Sequence, residues 1–583
     1  MHFVKKVPTS EEEKAARKKE QDKKSKIFLT FRNRIIEKKE NGEFDDEMLS
    51  LTQQVLEKNA DIYTFWNLRR ICIELKLKSN EAMKNDATIP DDEKLDFQRK
   101  TDNLLSGELF LSYECIKTNP KSYSAWFQRA WVLKHQVEPD LKKEFGLCEK
   151  ALQLDCRNFH CWDHRRFVAK LANLTNEEEL EFSNKLIEEN FSNYSAWHYR
   201  SIGLKNLSIA NEGQLKIDEN TIAEELNKVK NAFYMDAEDQ SAWTYTRWLL
   251  EVGSGKEFLR PDSRTPEELI SACFDGSSTT LVFTRAVTLQ HVLSLVDTDN
   301  DKDWIAYSST SPNPKCSKVW KFMNGKSLKV LIQNLEKSGK DAVDEVEIDG
   351  KGYLNEKLLR KIYDASEITI PASISALLDD CKQLMELEPE NKWPLYMRTL
   401  IQMEYDPVGA HEEIIGNLTK LAEELDVNRR ELYLAIQSRQ HINAVVRENL
   451  DKYVSGECHE LTVNYKGLTS TEGVEYLSGI VTRATFQGNQ LKDIARIVLP
   501  NLEFLCVNEN PIKKITASPN LNSIKFLQIA STQVKQPSDI VDCIKKMEKI
   551  KKLLICETPL VENGKELAEI LQPKQIRLII HWL

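Results

Sequence analysis

The sequence lacks the features that mark several protein classes. No run of about 18 apolar residues occurs, so no segment is predicted to span a membrane. Charged side chains dominate from Glu11 to Lys26, where a secretory signal would be apolar. The net charge of −10 provides no global positive field for nucleic acid. With these absences, a chain of 583 residues is expected to be a cytoplasmic protein of about three or four domains.

Neither paired cysteines nor a complete catalytic motif is present. The 12 cysteines run from Cys72 to Cys556 without paired spacing, so free thiols in a reducing compartment are expected. The metalloprotease pattern H-E-x-x-H and the hydrolase pattern G-x-S-x-G are missing. His160 and His164 could share one helix face as zinc ligands, but they lie inside a repeated phrase, where packing is the more frequent role. We therefore predict no catalytic site that is complete within this chain alone.

One short phrase recurs through the first half of the chain. It reads NPKSYSAWFQR, RNFHCWDHRRF and NFSNYSAWHYR in three consecutive copies. Between the copies, apolar residues follow the i, i+3, i+4, i+7 spacing of amphipathic helices. The period is about 35 residues once polar inserts are set aside, which predicts stacked helical hairpins. The tryptophans that anchor the copies are Trp66, Trp126, Trp162, Trp197 and Trp243, and a weaker copy ends at Trp393.

Two other patterns interrupt and follow this helical array. Short β-rich runs such as TTLVFTRAV and KVWKFM, bounded by turn residues, predict an inserted β-sandwich of the immunoglobulin-like type. Beyond it the pattern L-x-x-L-x-L-x-x-N-x-L appears in LEFLCVNENPI and three further copies, which is typical of leucine-rich repeats. The predicted domains are helical repeats at 1–252 and 371–446, the sandwich at 253–370 and leucine-rich repeats at 447–583.

The asparagine position of the leucine-rich pattern changes along the tail. It is occupied by Asn489 and Asn510 in two copies, and by Thr532 and Thr558 in the next two. A threonine side chain has fewer hydrogen-bonding groups than an asparagine amide. The turns of the last two copies are therefore predicted to be less well tied. Such repeats are usually recognition surfaces, although here they could also only brace the helical array.

The recurring Trp-Arg-Tyr phrase resembles the protein prenyltransferase alpha-subunit repeat. The resemblance implies a mainly α fold, a crescent of helical hairpins that wraps a zinc-bearing beta subunit in an obligate heterodimer. Members of this family with both a β insert and a leucine-rich tail belong to enzymes that modify Rab GTPases. The implied reaction transfers a geranylgeranyl group from geranylgeranyl diphosphate to C-terminal cysteines of Rab proteins, which an escort protein presents. Zinc on the beta subunit would hold the cysteine as a thiolate.

The same resemblance assigns roles to particular residues of this chain. Lys121 and Tyr123, from the NPK-x-Y phrase, would bind the diphosphate, although a lone lysine at a turn is more often a surface residue. His2 could reach the beta-subunit zinc as an autoinhibitory ligand, or it could belong to a disordered tail. The residues expected to line the concave face against the beta subunit are Trp126, Arg129, Trp162, Arg165, Trp197, Tyr199 and Arg200.

Two other interpretations remain open at this point. A chain of helical and leucine-rich repeats would suit a binding scaffold with no role in catalysis. An alpha subunit of farnesyltransferase or type I geranylgeranyltransferase shares the helical repeat, but it lacks the insert and the leucine-rich tail, so the tail counts against it.

Overall fold

The computed structural model describes residues 11–212, 217–254, 267–274, 277–296, 302–308, 315–323, 352–363 and 369–581. The chain divides into two compact units, Met1–Asn211 and Glu212–Leu583, which are described separately below. Within the described ranges, no helix combines the length and the hydropathy that crossing a bilayer requires.

The first unit is built from a long helix and four helical hairpins. The long helix ends at an Asn-Gly stop, where Gly42 adopts a φ of +72° that favours glycine. Polar caps begin the second helix of two hairpins: the side chains of Ser122 and Asn158 accept hydrogen bonds from backbone N–H groups of the first turn. The helices are α1 (Glu11–Glu40), α2 (Asp46–Leu56), α3 (Tyr63–Asn85), α4 (Asp91–Thr118), α5 (Tyr123–His135), α6 (Leu141–Leu154), α7 (Phe159–Leu171), α8 (Asn176–Glu189) and α9 (Tyr194–Glu212).

The repeated tryptophan fixes the second helix of each hairpin to the turn before it. In every clear copy the indole N–H donates to the carbonyl oxygen six residues earlier; Trp126, for example, donates to Pro120 at 2.8 Å. The ring itself is buried, so the hydrogen bond satisfies the polar atom of an otherwise apolar side chain. The other pairs are Trp66 with Ala60, Trp162 with Cys156, Trp197 with Phe191 and Trp243 with Ala237.

The second unit continues the hairpins on both sides of the insert. In the sixth copy the buried anchor position is taken by Leu395, 3% exposed, whereas Trp393 is only half-buried. Leu395 stands four residues after the N-cap Asn391, where the other copies have their tryptophan. The helices are α10 (Glu219–Met235), α11 (Gln240–Ser254), α12 (Leu289–Val296), α13 (Glu356–Tyr363), α14 (Ala372–Leu387), α15 (Lys392–Tyr405), α16 (His411–Lys420), α17 (Arg430–Glu448), α18 (Leu450–Val454), α19 (Val541–Lys546) and α20 (Gly564–Leu571).

The insert contains an antiparallel sheet in the strand order β3-β4-β2-β1-β5. Within the described ranges its residues form one antiparallel sheet, and residues 324–351, which belong to the predicted sandwich, lie outside those ranges. One face packs on the leucine-rich core, to which Val282 belongs, while Leu281 and Phe283 pack with Val292 of α12 on the other face. The strands are β1 (Leu269–Phe274), β2 (Thr279–Thr288), β3 (Trp304–Tyr307), β4 (Cys316–Phe322) and β5 (Gly352–Leu354).

The C-terminal region is a six-stranded parallel sheet with the order β11-β10-β9-β8-β7-β6. The central apolar residues of its strands point into one buried core, as the leucine-rich pattern predicts. Strands also form at each end, beyond the four copies recognised in the sequence. The strands are β6 (Glu460–Thr462), β7 (Arg483–Thr485), β8 (Phe504–Cys506), β9 (Phe526–Gln528), β10 (Lys552–Cys556) and β11 (Arg577–His581).

The asparagine and threonine turns of this sheet differ as expected. The amide of Asn489 donates to three backbone carbonyls and its oxygen accepts from two backbone N–H groups. The hydroxyl of Thr532 donates to one carbonyl, that of Ile529, at 2.8 Å. The hydroxyl oxygen of Thr558 is buried without a hydrogen-bond partner. The prediction of weaker ties in the threonine copies is confirmed.

Candidate functional site

In the first unit, the arginine of each copy of the phrase is buried and makes its hydrogen bonds inside the helical array. The guanidinium of Arg129 donates twice to the carboxylate of Glu144 on α6, at 2.8 and 2.6 Å. Its third nitrogen donates to the carbonyl oxygen of Leu109 and to the hydroxyl of Ser112, both on α4. Arg129 therefore joins the first helix of its own hairpin to the first helix of the next one.

The same arrangement recurs in the other copies of the first unit. Arg69 pairs with Glu108 on α4, and Arg165 pairs with Glu179 on α8 at 2.8 Å. Arg200 donates to the carbonyl of Leu180, twenty residues earlier, as Arg129 does to Leu109. Guanidinium groups that are buried this completely require such partners, because a buried ion without a partner costs several kcal/mol of folding free energy.

In four copies, the polar residue two positions after the tryptophan completes the network from the other side. It bonds the acidic residue of its own hairpin, which lies twenty positions earlier in every case. Burial alone would raise the pKa of Glu144, but hydrogen bonds from His164 and Arg129 outweigh it and hold that pKa below its usual range. The pairs are Gln128 with Glu108, His164 with Glu144, Tyr199 with Glu179 and, in the second unit, Tyr245 with Glu225.

This network gives the residues expected to line the concave face a role in packing the array. All seven are at most 6% exposed within this chain alone, so they pack the array and leave almost no surface for a partner. Their place in a subunit interface is a prediction to which the geometry adds no support. The residues concerned are Trp126, Arg129, Trp162, Arg165, Trp197, Tyr199 and Arg200.

A different position of the phrase is exposed in the first unit. Three residues before each tryptophan, an aromatic side chain stands at the first turn of the second helix. These side chains are Tyr63, Tyr123, Phe159 and Tyr194, between 47% and 70% exposed. Exposed aromatic rings that repeat along one side of a protein are typical of interaction surfaces. We call these four residues the aromatic row.

Lys121 lies beside this row, in the turn that precedes α5. Its side chain is 71% exposed, and its ammonium lies 3.6 Å from the carboxylate of Asp155 in the next turn. Its backbone N–H donates to the side-chain oxygen of Asn119, which holds the turn in place. The lysine is therefore fixed at its backbone while its charged end remains accessible.

Tyr123 is held by two aromatic neighbours from α7. The edge of its ring meets the ring of His160 at a centroid distance of 4.2 Å, and Phe159 lies 5.8 Å away. Burial and the positive charge of Lys121 lower the pKa of His160, so its imidazole is neutral near pH 7. The sequence favoured a packing role for His160 over a metal ligand, but it did not indicate this contact with Tyr123.

The cysteines and histidines of that segment do not converge on a metal site. His164 bonds Glu144, and the thiol of Cys161 contacts the carbonyl of Cys148. No group of three metal-binding side chains occurs in the part of the chain that the structure describes. His2 lies outside that part, so its predicted role remains a prediction.

Comparison with known proteins supports the assignment made from the phrase. A family model, the protein prenyltransferase alpha subunit repeat, matches residues 105–136, 141–172, 176–207 and 222–252. The geranylgeranyl transferase type-2 subunit alpha of Mus musculus is 32% identical over 555 residues, which cover 92% of both chains. The protein of the same name from Bos taurus is 29% identical over 554 residues, again 92% of both chains.

The chain belongs to the geranylgeranyl transferase type-2 alpha subunits. The similarity to this family extends over the insert and the tail as well as the helical array, since the aligned part covers 92% of the chain. The Dictyostelium discoideum subunit is 38% identical over 254 residues, 43% of this chain and 75% of its own. A solved structure, Candida albicans protein geranylgeranyltransferase-I complexed with GGPP, aligns with 16% identity over 68% of this chain and 85% of that one. Its TM-score of 0.36 is too low to support an argument.

Proposed function

We propose that this chain is the alpha subunit of a heterodimeric enzyme that transfers geranylgeranyl groups from geranylgeranyl diphosphate to C-terminal cysteines of Rab GTPases. Family membership over 92% of the chain is the basis of this proposal. A beta subunit would hold the zinc and most of the catalytic groups, an escort protein would present the Rab substrate, and the enzyme would work in the cytoplasm. His2 would reach the beta-subunit zinc as a removable ligand.

The structural observation that supports a direct role of this chain in the reaction is the accessible ammonium of Lys121, two residues before Tyr123. As the diphosphate leaves, negative charge grows on its oxygens, and a cation aimed at them stabilises the transition state. Asp155 balances the lysine at 3.6 Å, but this pair is exposed, and such pairs contribute only about 0–1 kcal/mol. A diphosphate, with more charge than one carboxylate, can therefore displace Asp155. Tyr123, two residues further along the chain, would add its hydroxyl to the same contact.

The aromatic row provides the surface that the beta subunit would cover. Its four rings are exposed in the isolated chain and stand in equivalent positions of consecutive hairpins. Burying a row of this kind supplies a large apolar contact, as obligate interfaces require. Lys121 and Tyr123 lie at this row, so the same association would place them at the edge of the partner's active site.

Lys121→Ala tests the proposal in the reconstituted heterodimer. A hydrogen bond to a charged group contributes about 1.5–3 kcal/mol, so transfer should slow by roughly 10- to 150-fold. Part of this contact exists before the transition state, so affinity for geranylgeranyl diphosphate should also fall. Lys150→Ala is the matched control, because Lys150 is exposed on α6 within the same unit. The measurement is the transfer of labelled lipid to a Rab protein, with kcat and KM determined separately for each variant.

If this chain is only a binding scaffold, the expected result of the same measurement is different. If Lys121→Ala transfers lipid and binds the diphosphate normally, this chain makes no contact with the ligand here. Asp155→Asn is a second variant for the same test. It removes the carboxylate that competes with the diphosphate for Lys121, so affinity for the diphosphate should be unchanged or somewhat higher.

A further inference from the structure

The parallel sheet of the second unit carries a straight line of six exposed or half-buried side chains. Each pair of neighbours in this line is in direct register across adjacent strands, so the line crosses the whole sheet. Neighbouring strands are about 4.8 Å apart, which makes the line about 24 Å long. We call it the strand row, and it consists of Glu460, Arg483, Phe504, Phe526, Lys552 and Arg577.

The centre of the strand row is aromatic and is bounded by cations. The rings of Phe504 and Phe526 meet edge to face, with centroids 5.4 Å apart. The guanidinium of Arg483 lies 4.3 Å from the first ring, and the ammonium of Lys552 lies 5.9 Å from the second. Both rings are half-buried, so part of each faces solvent, and they lie between these two positive charges.

The two ends of the strand row differ in charge. At one end Glu460 lies 3.5 Å from Arg483, so that arginine is balanced. At the other end, no carboxylate of the described residues forms an ion pair with Lys551, Lys552 or Arg577. This uncompensated positive charge occurs in a chain whose net charge is −10. A local field of opposite sign to the whole protein selects a negatively charged partner.

We propose that the strand row binds an extended acidic segment of a partner protein. A large apolar side chain of that segment would rest on Phe504 and Phe526, and its carboxylates would meet Lys552 and Arg577. An extended peptide advances about 3.3 Å per residue, so about seven residues match the length of the row. Half-buried Leu554, next to Lys552, extends the apolar floor. An apolar centre with positive charge at only one end fits such a segment better than the evenly charged backbone of a nucleic acid.

Fluorescence anisotropy with labelled octapeptides tests the proposal on the full-length chain, in the complex in which it is purified. One peptide has a central phenylalanine followed by four acidic residues, and a second has four lysines in their place. The acidic peptide should bind about tenfold or more tightly, and the difference should shrink as salt is raised. The double substitution Lys552→Glu and Arg577→Glu should abolish this preference. The double substitution Phe504→Ala and Phe526→Ala should lower the affinity for the acidic peptide by about tenfold or more.

The control is Lys513→Glu with Lys514→Glu, two exposed lysines of the same domain outside the row. Those substitutions should leave binding of the acidic peptide unchanged. Equal binding of the two peptides by the unmodified protein overturns the proposal, and so does an equal loss in the control variant. A uridine dodecamer that binds and depends on Lys552 and Arg577, while the acidic peptide does not, would assign the row to nucleic acid instead. If circular dichroism shows a folding defect in the charge-reversed variant, Lys552→Gln with Arg577→Gln replaces it, with the same expected loss of preference.

Discussion

Replacing Arg129 by alanine should destabilise the first unit instead of weakening its association with a partner. The substitution removes two hydrogen bonds to Glu144, at 2.8 and 2.6 Å, and leaves that carboxylate buried at 3% exposure with one partner, His164. Breaking a buried ion pair from one side costs about 3–5 kcal/mol. For a unit of about 200 residues this corresponds to a fall in Tm of roughly 6–20 °C. Arg166 is the matched control, because its pair with Asp163 on the same helix is much more exposed, and Arg166→Ala should change stability by about 1 kcal/mol or less.

Hydrogen exchange on the full-length chain, in its purified complex, separates the two possible roles of Arg129. A loss of 3–5 kcal/mol should speed exchange of the most protected amides of α4 and α6 by about 10²- to 10⁴-fold. Exchange in the second unit should change little. If Arg129 acted in the subunit interface instead, protection of α4 and α6 would be retained and the dissociation rate of the complex would rise. That result would refute the packing role argued from the structure.

Three further expectations concern the second unit and are measured by thermal unfolding at several pH values. Thr558→Asn should raise the free energy of unfolding by about 1 kcal/mol. The substitution replaces a buried hydroxyl that lacks a partner by an amide that can form hydrogen bonds to the turn, as Asn489 does. A loss of stability would contradict this. Gly488→Ala should lower the free energy of unfolding by about 1–3 kcal/mol, because the new Cβ would lie 2.2 Å from the ring of Tyr465 and the backbone φ is +67°. An unchanged Tm would contradict this. Burial and the neighbouring positive charges lower the pKa of His441 to about 4, so the unfolded chain, with a pKa near 6.5, binds this proton more readily. Stability should fall as pH drops from about 6.5 towards 4, and His441→Gln should flatten that fall.

The sequence predicts most readily those features that one residue type marks at a fixed spacing. The tryptophans indicated the hairpins because each fills the same buried position, and the asparagines indicated the turns of the parallel sheet because their amides bond the backbone. The acids that receive the arginines were missed. Glu108, Glu144 and Glu179 lie in the first helices, twenty residues before their second partners, among many surface acids that look the same in the sequence. Only the packing of one hairpin on the next distinguishes them.

The insert shows how a strand can be predicted while its surroundings are not. The run Leu281, Val282 and Phe283 is continuously apolar, whereas a strand with one solvated face alternates. A continuous run indicates that both faces are covered, and in this unit the leucine-rich core covers one and α12 the other. A sandwich would cover one face only. The helix α12 follows β2 directly in the chain, but the leucine-rich core comes from a distant part of it, so the strand pattern could not identify that cover.

The separation of buried and exposed positions within one phrase explains how the array can be repetitive while its turns present different side chains. Tryptophan, arginine and the residue before the arginine are buried, and the repeat depends on them for packing. The position five residues before each tryptophan is exposed or half-buried and varies between copies: it is Asp61, Lys121, Arg157 and Ser192 in the first unit. A change there costs the fold little, because the turn is fixed by backbone hydrogen bonds and by the indole. Packing thus sets where each turn stands, and the residue at this variable position sets which side chain the turn presents.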